Sequence, residues 1–193
     1  MTSGPSEPGT DLTVRPRQPI DLPALLVLLQ RTHEQDGYPV RASAVRADWL
    51  AAPDELVGAV AEYHGRVVGH VALHPTAVPG HDKSHDPGQD AAAALWQQAT
   101  GLPAERLAVI SRLLTDGSVK GAGTALLAHA VRRAAQLGRA PVLLVDPDSR
   151  ARGFYLRRGW TEVGTARQQW GQRSVDAALL VLAVSADHPV WLR

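Results

Sequence analysis

Two rhythms of apolar residues run along the chain, and their switching predicts most of its elements. Residues 12–15 alternate as a short first strand. Asp21 then stands where a helix would be capped, with Pro23 in the first turn and Leu22, Leu25, Leu26 and Leu29 along one face. Gly37 and Pro39 close that helix. A second short helix is predicted over residues 43–52, with Ser43 as its cap and Val45, Trp49 and Leu50 as its apolar side. Residues 56–63 and 66–73, joined by His64-Gly65, read as strand, two-residue turn and strand, an antiparallel hairpin. Residues 91–100 follow as a helix and 106–114 as an apolar-rich strand. The strongest helical signal is 122–137, where Leu126, Leu127, Ala130, Val131, Ala134 and Leu137 recur at three- and four-residue spacing and Gly138 closes the run. Residues 141–145 are all apolar, as expected of a strand buried on both faces. A short helix over 149–158 ends at Gly159, and 161–170 with 175–184 make a last antiparallel pair.

The predicted order is therefore β-α-α-β-β-α-β-α-β-α-β-β. Strand 106–114, helix 122–137 and strand 141–145 form a right-handed βαβ crossover between antiparallel hairpins. The fold class that follows is α/β (α+β), with a mixed, mostly antiparallel twisted sheet of about seven strands and helices on both faces. Residues 12–184 are expected to form one domain, after a polar, Pro/Gly-rich leader over 1–11 expected to be disordered and before a C-terminal tail over 185–193.

Composition mainly excludes. The 193 residues carry 20 Lys+Arg against 19 Asp+Glu, a net charge of +1, without the basic surplus of a dedicated nucleic-acid binder. The longest apolar runs, 24–29 and 177–184, fall far short of a membrane span. The leader lacks the basic and apolar regions of a signal peptide, so a cytoplasmic protein with neither membrane nor nucleic-acid partners is expected. There is no cysteine, which removes disulfides, thiolate metal sites and any acyl-cysteine intermediate. His81, Asp82, His85 and Asp86 repeat a metal-ligand pattern, but they sit in a Pro/Gly-rich loop that leaves ligand geometry undefined, and no metal is expected.

Candidate chemistry lies between the predicted strand 106–114 and helix 122–137, in Asp116-Gly117-Ser118-Val119-Lys120-Gly121-Ala122-Gly123-Thr124. Glycines at a strand-to-helix turn let the backbone approach a ligand, and a helix N-terminus offers unpaired N–H groups to a phosphate. The Walker A pattern fails because Ala122 stands where its second glycine must be, and the dinucleotide pattern fails because Leu126 stands in place of its third. Taken alone, the turn fits a phosphate cradle or merely a tight bend. A second motif follows at Asp146-Pro-Asp-Ser149-Arg-Ala-Arg152-Gly-Phe154-Tyr155-Leu-Arg157-Arg158-Gly159-Trp160.

Together the two motifs resemble the GCN5-related N-acetyltransferase (GNAT) superfamily. Its acetyl-CoA loop, Q/R-x-x-G-x-G/A, is matched from Ser118 through Gly121 to Gly123, and its later N-x-x-A-x-x-F-Y-x-K-x-G-F is matched from Asp148 to Trp160. The resemblance covers roughly residues 12–184 and implies a GNAT-like sheet, with acetyl-CoA as cosubstrate and direct attack by a primary amine in a ternary complex. It implies that the main chain of Leu113, Leu114 and Thr115 pairs with the pantetheine. Ser118, Val119, Lys120, Gly121, Ala122, Gly123 and Thr124 would surround the pyrophosphate, and Asp146, Ser149, Arg152 and Arg157 would complete the cofactor site. Tyr155 matches the general acid that protonates the departing thiolate, and Phe154 is assigned to packing. Ser118 replaces the family's Gln or Arg, which predicts weakened but retained CoA binding.

The general base is not named by the sequence. Glu62 and Glu105 are the carboxylate candidates, beside His70, His74 or a water chain. Of Ser111 and Arg112, strict alternation would turn only one toward the acceptor. The acceptor expected is a small-molecule or peptide amine. A catalytically inactive CoA-binding or sensing domain on the same fold is the alternative, and a small interaction module is a third reading. A C-terminal edge strand with Trp170 and Trp191 leaves room for a homodimer.

Overall fold

In the computed structural model, which describes residues 11–39, 42–76 and 87–182, the alternating segments pair into one seven-stranded sheet. Its strands are β1 (Leu12–Pro16), β2 (Val57–Tyr63), β3 (Arg66–Pro75), β4 (Leu107–Thr115), β5 (Ala140–Val145), β6 (Trp160–Trp170) and β7 (Arg173–Leu182). They lie in the order β1-β2-β3-β4-β5-β7-β6, and only β4 and β5 are parallel. This is the mixed, mostly antiparallel sheet that the pattern predicts. The β2–β3 hairpin turns on His64 (φ 49°) and Gly65 (φ 73°), the two left-handed residues a two-residue turn of this kind requires.

Helices α1 (Leu22–Asp36), α2 (Ala47–Leu50) and α3 (Pro87–Thr100) cover one face, and α4 (Ala122–Gln136) and α5 (Arg150–Leu156) the other. The period of two along each strand divides the core between them. In β4, Leu107 and Val109 pack with Trp96 of α3, whereas Ala108 and Ile110 pack with Leu126 and Ala130 of α4. Gly69 sets the approach of α4. A Cβ there would stand 2.8 Å from Leu126 Cδ1 and 2.9 Å from the Leu114 carbonyl oxygen, so a side chain would push the helix off β3.

Several boundaries differ from the sequence pattern. The predicted helix over 43–52 is a single 3-10 turn, Ala42–Ala44, followed by the four-residue α2, because Arg46 is extended (φ −156°, ψ 159°) and breaks the run. Asp21 precedes α1 but does not cap it with its side chain. That carboxylate accepts instead from the Gln18 N–H at 2.7 Å and from Arg15, at 2.8 Å to each oxygen. Helix α3 begins four residues earlier than predicted. The histidine and aspartate pattern of 81–86, most of the leader, the tail and Trp191 lie outside the described residues.

One irregularity shapes the centre of the sheet. Ala72 pairs with Ser111 and His70 with Leu114, so Arg112 and Leu113 together oppose Val71. This is a β-bulge, and Arg112 takes the left-handed conformation at φ 52°.

Candidate functional site

β4 and β5 pair over three positions only, Leu107 to Val109 with Ala140 to Val142. Beyond Val142, β5 pairs with β7 alone, and β4 runs on to the bulge with β3 on one side and no strand on the other. Two parallel strands thus diverge and leave an open backbone edge at the middle of the sheet. The glycine turn and the N-terminus of α4 stand at the end of β4. Tyr155 of α5 is buried in the core beneath the same strands, with its ring edge against Phe154 and Trp160. Burial raises its phenol above the ordinary tyrosine range, and the neighbouring Tyr38 adds to the effect.

The turn before α4 is held from its first residues. The N–H and hydroxyl of Ser118 donate to Asp116 Oδ1 at 2.9 and 2.6 Å, and Arg66 of β3 donates to Ser118 Oγ at 2.9 Å while pairing with Asp116 at 2.8 Å. Hydrogen bonds from Ser118 and the Arg66 guanidinium hold the Asp116 carboxyl below its usual range, against the opposing effect of burial. Gly121, at φ 92°, caps the helix in a conformation that favours glycine. The N–H groups of Val119, Lys120 and Gly121 make no hydrogen bond within the described residues, and those of Gly123 and Thr124 lie in the first helical turn, where no intrahelical acceptor exists. Lys120 is exposed beside them. Five N–H groups thus stand at the positive end of a helix dipole, a donor set of the kind a phosphate group accepts from.

Among the arginines of the second motif, the structure separates roles that the sequence could not. Arg152 is engaged by Glu162 at 2.8 and 2.9 Å. Arg158 lies 3.7 Å from the centroid of the Phe154 ring and donates to Thr124 Oγ1 and the Phe154 carbonyl, both at 2.8 Å, so it ties α5 to the first turn of α4. Arg157 makes no ion pair among the described residues and folds toward Gly153. Asp146 and Ser149 organise the turn into α5. The Ser149 hydroxyl donates to the Asp146 carbonyl at 2.8 Å, and Asp146 Oδ1 accepts from the Asp148 N–H at 3.0 Å.

On the opposite face, under α1 and α2, lies a polar cluster. Arg17 donates to both Glu55 oxygens, at 2.8 and 3.0 Å, to the Leu50 carbonyl at 2.6 Å and to His70 Nε2 at 3.0 Å. The guanidinium of Arg112 stacks on Trp49, 4.9 Å from the ring centroid, and hydrogen-bonds His74 Nε2. His74 Nδ1 in turn faces Asp54 at 3.7 Å. Burial pushes His70 down to about 3, and burial with the nearby Arg112 charge pushes His74 down to about 4. Tyr38, whose ring edge meets Trp49, approaches the Arg112 backbone and is pushed up to about 12 by burial.

The two carboxylate candidates do not join Tyr155. Glu62 is held by Arg15 at 2.8 Å near the hairpin turn, and Glu105 is exposed in a 3-10 turn (Ala104–Arg106) at the far end of β4. The expectation that strict alternation sets only one of Ser111 and Arg112 on a given face is corrected by the bulge, which sets both side chains on the face under α1 and α2. Tyr38 was not visible to sequence reasoning, since the only local signal is its place between the helix-ending Gly37 and Pro39.

The family model described as Acetyltransferase (GNAT) family matches residues 22–160. A ribosomal-protein-alanine N-acetyltransferase from Brucella melitensis is 19% identical over 87% of this chain and 97% of its own, with a TM-score of 0.63. A GNAT family acetyltransferase from the same organism, in complex with acetyl-CoA, is 16% identical over 94% of both chains with a TM-score of 0.58. The GNAT family N-acetyltransferase YhbS from Escherichia coli, in complex with CoA, is 23% identical over 93% of this chain and 86% of that one, with a TM-score of 0.57. At these identities the likeness is one of fold. No curated protein matches the sequence significantly.

Proposed function

The chain belongs to the GNAT acetyltransferase family, and from that premise we propose that it transfers the acetyl group of acetyl-CoA to a primary amine by direct attack. The observation that carries this reading is the divergence of β4 from β5, which exposes a backbone edge between the phosphate cradle of α4 and the Tyr155 hydroxyl. The residues present fit the cosubstrate. The open edge at Leu113, Leu114 and Thr115 suits the amides of a pantetheine, and the N–H groups from Val119 to Thr124, with Lys120, suit a pyrophosphate. Arg66, brought to the turn from β3, offers a cation where Ser118 has shortened the family's side chain, and it offsets the charge of Asp116. Arg157 is the better placed of the predicted arginines for a further phosphate, because Arg152 is already paired.

Bond making at the amine nitrogen releases a thiolate as the carbon–sulfur bond breaks. Tyr155 gives that sulfur its proton and is reprotonated by the second proton that the nitrogen sheds on becoming an amide; burial keeps the phenol in its protonated form at neutral pH. The ammonium proton of the acceptor leaves through water, because Glu62 and Glu105 lie away from the gap and His70 and His74 are weak bases when buried. The absence of cysteine agrees with a route that has no acyl-enzyme. No helix of the described residues is long and apolar enough to cross a membrane.

Titration with acetyl-CoA, followed by thermal shift and by thiol release against an amine panel, tests the proposal. A rise in Tm with thiol release supports it. A rise without release from any amine supports instead the inactive CoA-binding reading, which the Ser118 replacement favours. No rise at millimolar ligand overturns both.

A further inference from the structure

The bulge in β4 sets a half-buried cation beyond ion-pair distance of any carboxylate among the described residues. Its register places Ser111 and Arg112 on the face covered by α1, α2 and α3, so two consecutive side chains enter the cluster that the acetyl-transfer chemistry above does not use. Arg112 is half-buried, and its two side-chain partners, the Trp49 ring and His74, carry no charge. The imidazole is neutral because it accepts from the guanidinium at Nε2 and is buried. Among the described residues no carboxylate lies within ion-pair distance of Arg112. Glu55 is held by Arg17, and Asp54 lies beyond His74. On the same strand, Ser111 Oγ and Arg112 Nε are buried and have no hydrogen-bond partner among the described residues. Desolvation lowers the guanidinium pKa from its ordinary value, and the more distant carboxylates of Glu55 and Asp54 offset this only in part.

A guanidinium fork next to an unpaired hydroxyl is the donor set that a carboxylate satisfies. The location matters as much as the chemistry. The backbone of the same residue forms the bulge at the mouth of the β4–β5 gap, where Tyr38 approaches the Arg112 main chain. A group held by the Arg112 side chain is therefore held beside the stretch of β4 that leaves β5 unpaired.

We propose that Arg112 selects the acceptor by binding a carboxylate carried on the amine, with Ser111 as second donor, so that the substrate class is an amino-acid-like primary amine. This rests on the acetyl-transfer reading given above. The guanidinium that attracts a carboxylate also repels a polycation, which sets polyamines apart from the favoured class.

The experiment uses the full chain, acetyl-CoA and matched pairs of amino acid and decarboxylated amine: phenylalanine with phenethylamine, histidine with histamine, ornithine with putrescine. Thiol release is expected with kcat/KM roughly 10- to 100-fold higher for the acid of at least one pair, the range of a charged hydrogen bond. Arg112→Gln should bring that ratio close to one, mainly through KM, and Arg112→Lys should keep part of it. Glutamine and lysine meet the same φ of 52°, so the contrast between the two variants reports charge and not backbone strain. Equal use of both members of every pair, or an unchanged ratio in Arg112→Gln, overturns the proposal. So does the failure of every pair in a protein whose Tm rises with acetyl-CoA, an outcome that leaves the cosubstrate reading standing. Absence of that rise overturns the cosubstrate reading and this inference with it.

Discussion

The guanidinium of Arg17 lies 3.0 Å from Nε2 of the fully buried His70. An arginine can only donate, so Nε2 is the acceptor and the ring proton sits on Nδ1, aimed at the Arg112 carbonyl 3.2 Å away. A second proton on this ring would confront two guanidinium groups from inside the core. His70 is therefore locked neutral, and one tautomer links Arg17 to the bulge.

Acid sensitivity follows from that lock. His70 and His74 are depressed to about 3 and about 4, so below ~6.5 the unfolded chain binds protons that the native state refuses. Each contribution to stability is complete above ~6.5 and declines as the pH falls toward the folded values, by about 1.4 kcal/mol per unit. Between pH 7 and 5 this amounts to about 2 kcal/mol per histidine. Urea unfolding at the two pH values measures the loss, and His70→Gln should remove close to half of it. A stability that is flat over this interval would show that the imidazoles accept protons in place.

Tyr155→Phe separates binding from chemistry. The ring and its contacts with Phe154 and Trp160 are kept, so the rise in Tm with acetyl-CoA should persist. Thiol release with a competent amine should fall about 100-fold, the scale of a lost general acid. If turnover is unaffected, another group protonates the sulfur.

A third prediction concerns Arg15, which holds Asp21, only 4% exposed, through both oxygens and reaches Glu62 as well. Arg15→Met would leave a buried carboxylate unpaired, at a cost of about 3 kcal/mol at pH 7. Hydrogen bonding to Arg15 holds the Asp21 carboxyl below its usual value. Its contribution is thus present above ~4 and lost as the pH falls through the depressed value, so the gap between variant and parent should close on acidification. Parallel denaturation curves at pH 7 and 3 decide this, and a gap of constant size refutes it.

Gly69→Ala probes the seat of α4. The added methyl meets the Leu114 carbonyl and Leu126 at under 3 Å, which predicts a loss of about 1–3 kcal/mol by calorimetry. Because α4 carries the proposed phosphate cradle, acetyl-CoA affinity should weaken in the same variant. Unchanged affinity would mean that the cradle is set by its own turn and not by the packing of the helix.

Much of this was open to reading in one dimension. The hairpin signal of β2 and β3 about His64-Gly65, the three-and-four spacing of Leu126, Leu127 and Ala130, and the paired motifs around Gly121 and Tyr155 are local signals that the fold preserves. What escaped depends on partners that only the folded chain brings together. Asp21 carries the signature of a helix cap, yet Arg15 competes successfully for its carboxylate. Glu62 looks like a free base until β1 brings the same arginine against it. The bulge left no mark, because the left-handed residue is Arg112 and not a glycine. Tyr38 gained its place only when β4 and α2 folded beside it.

The three paired positions between β4 and β5 carry a mechanical consequence. The sheet is two leaves, β1 to β4 and β5 to β7, stitched by a short seam at Leu107, Ala108 and Val109 and otherwise bridged by side chains alone. It is the shortest strand pairing in the sheet. A ligand whose amides pair with the exposed edge of β4 continues the stitching where the protein's own hydrogen bonds stop, so its arrival should stiffen one leaf against the other and slow amide exchange on both sides of the join.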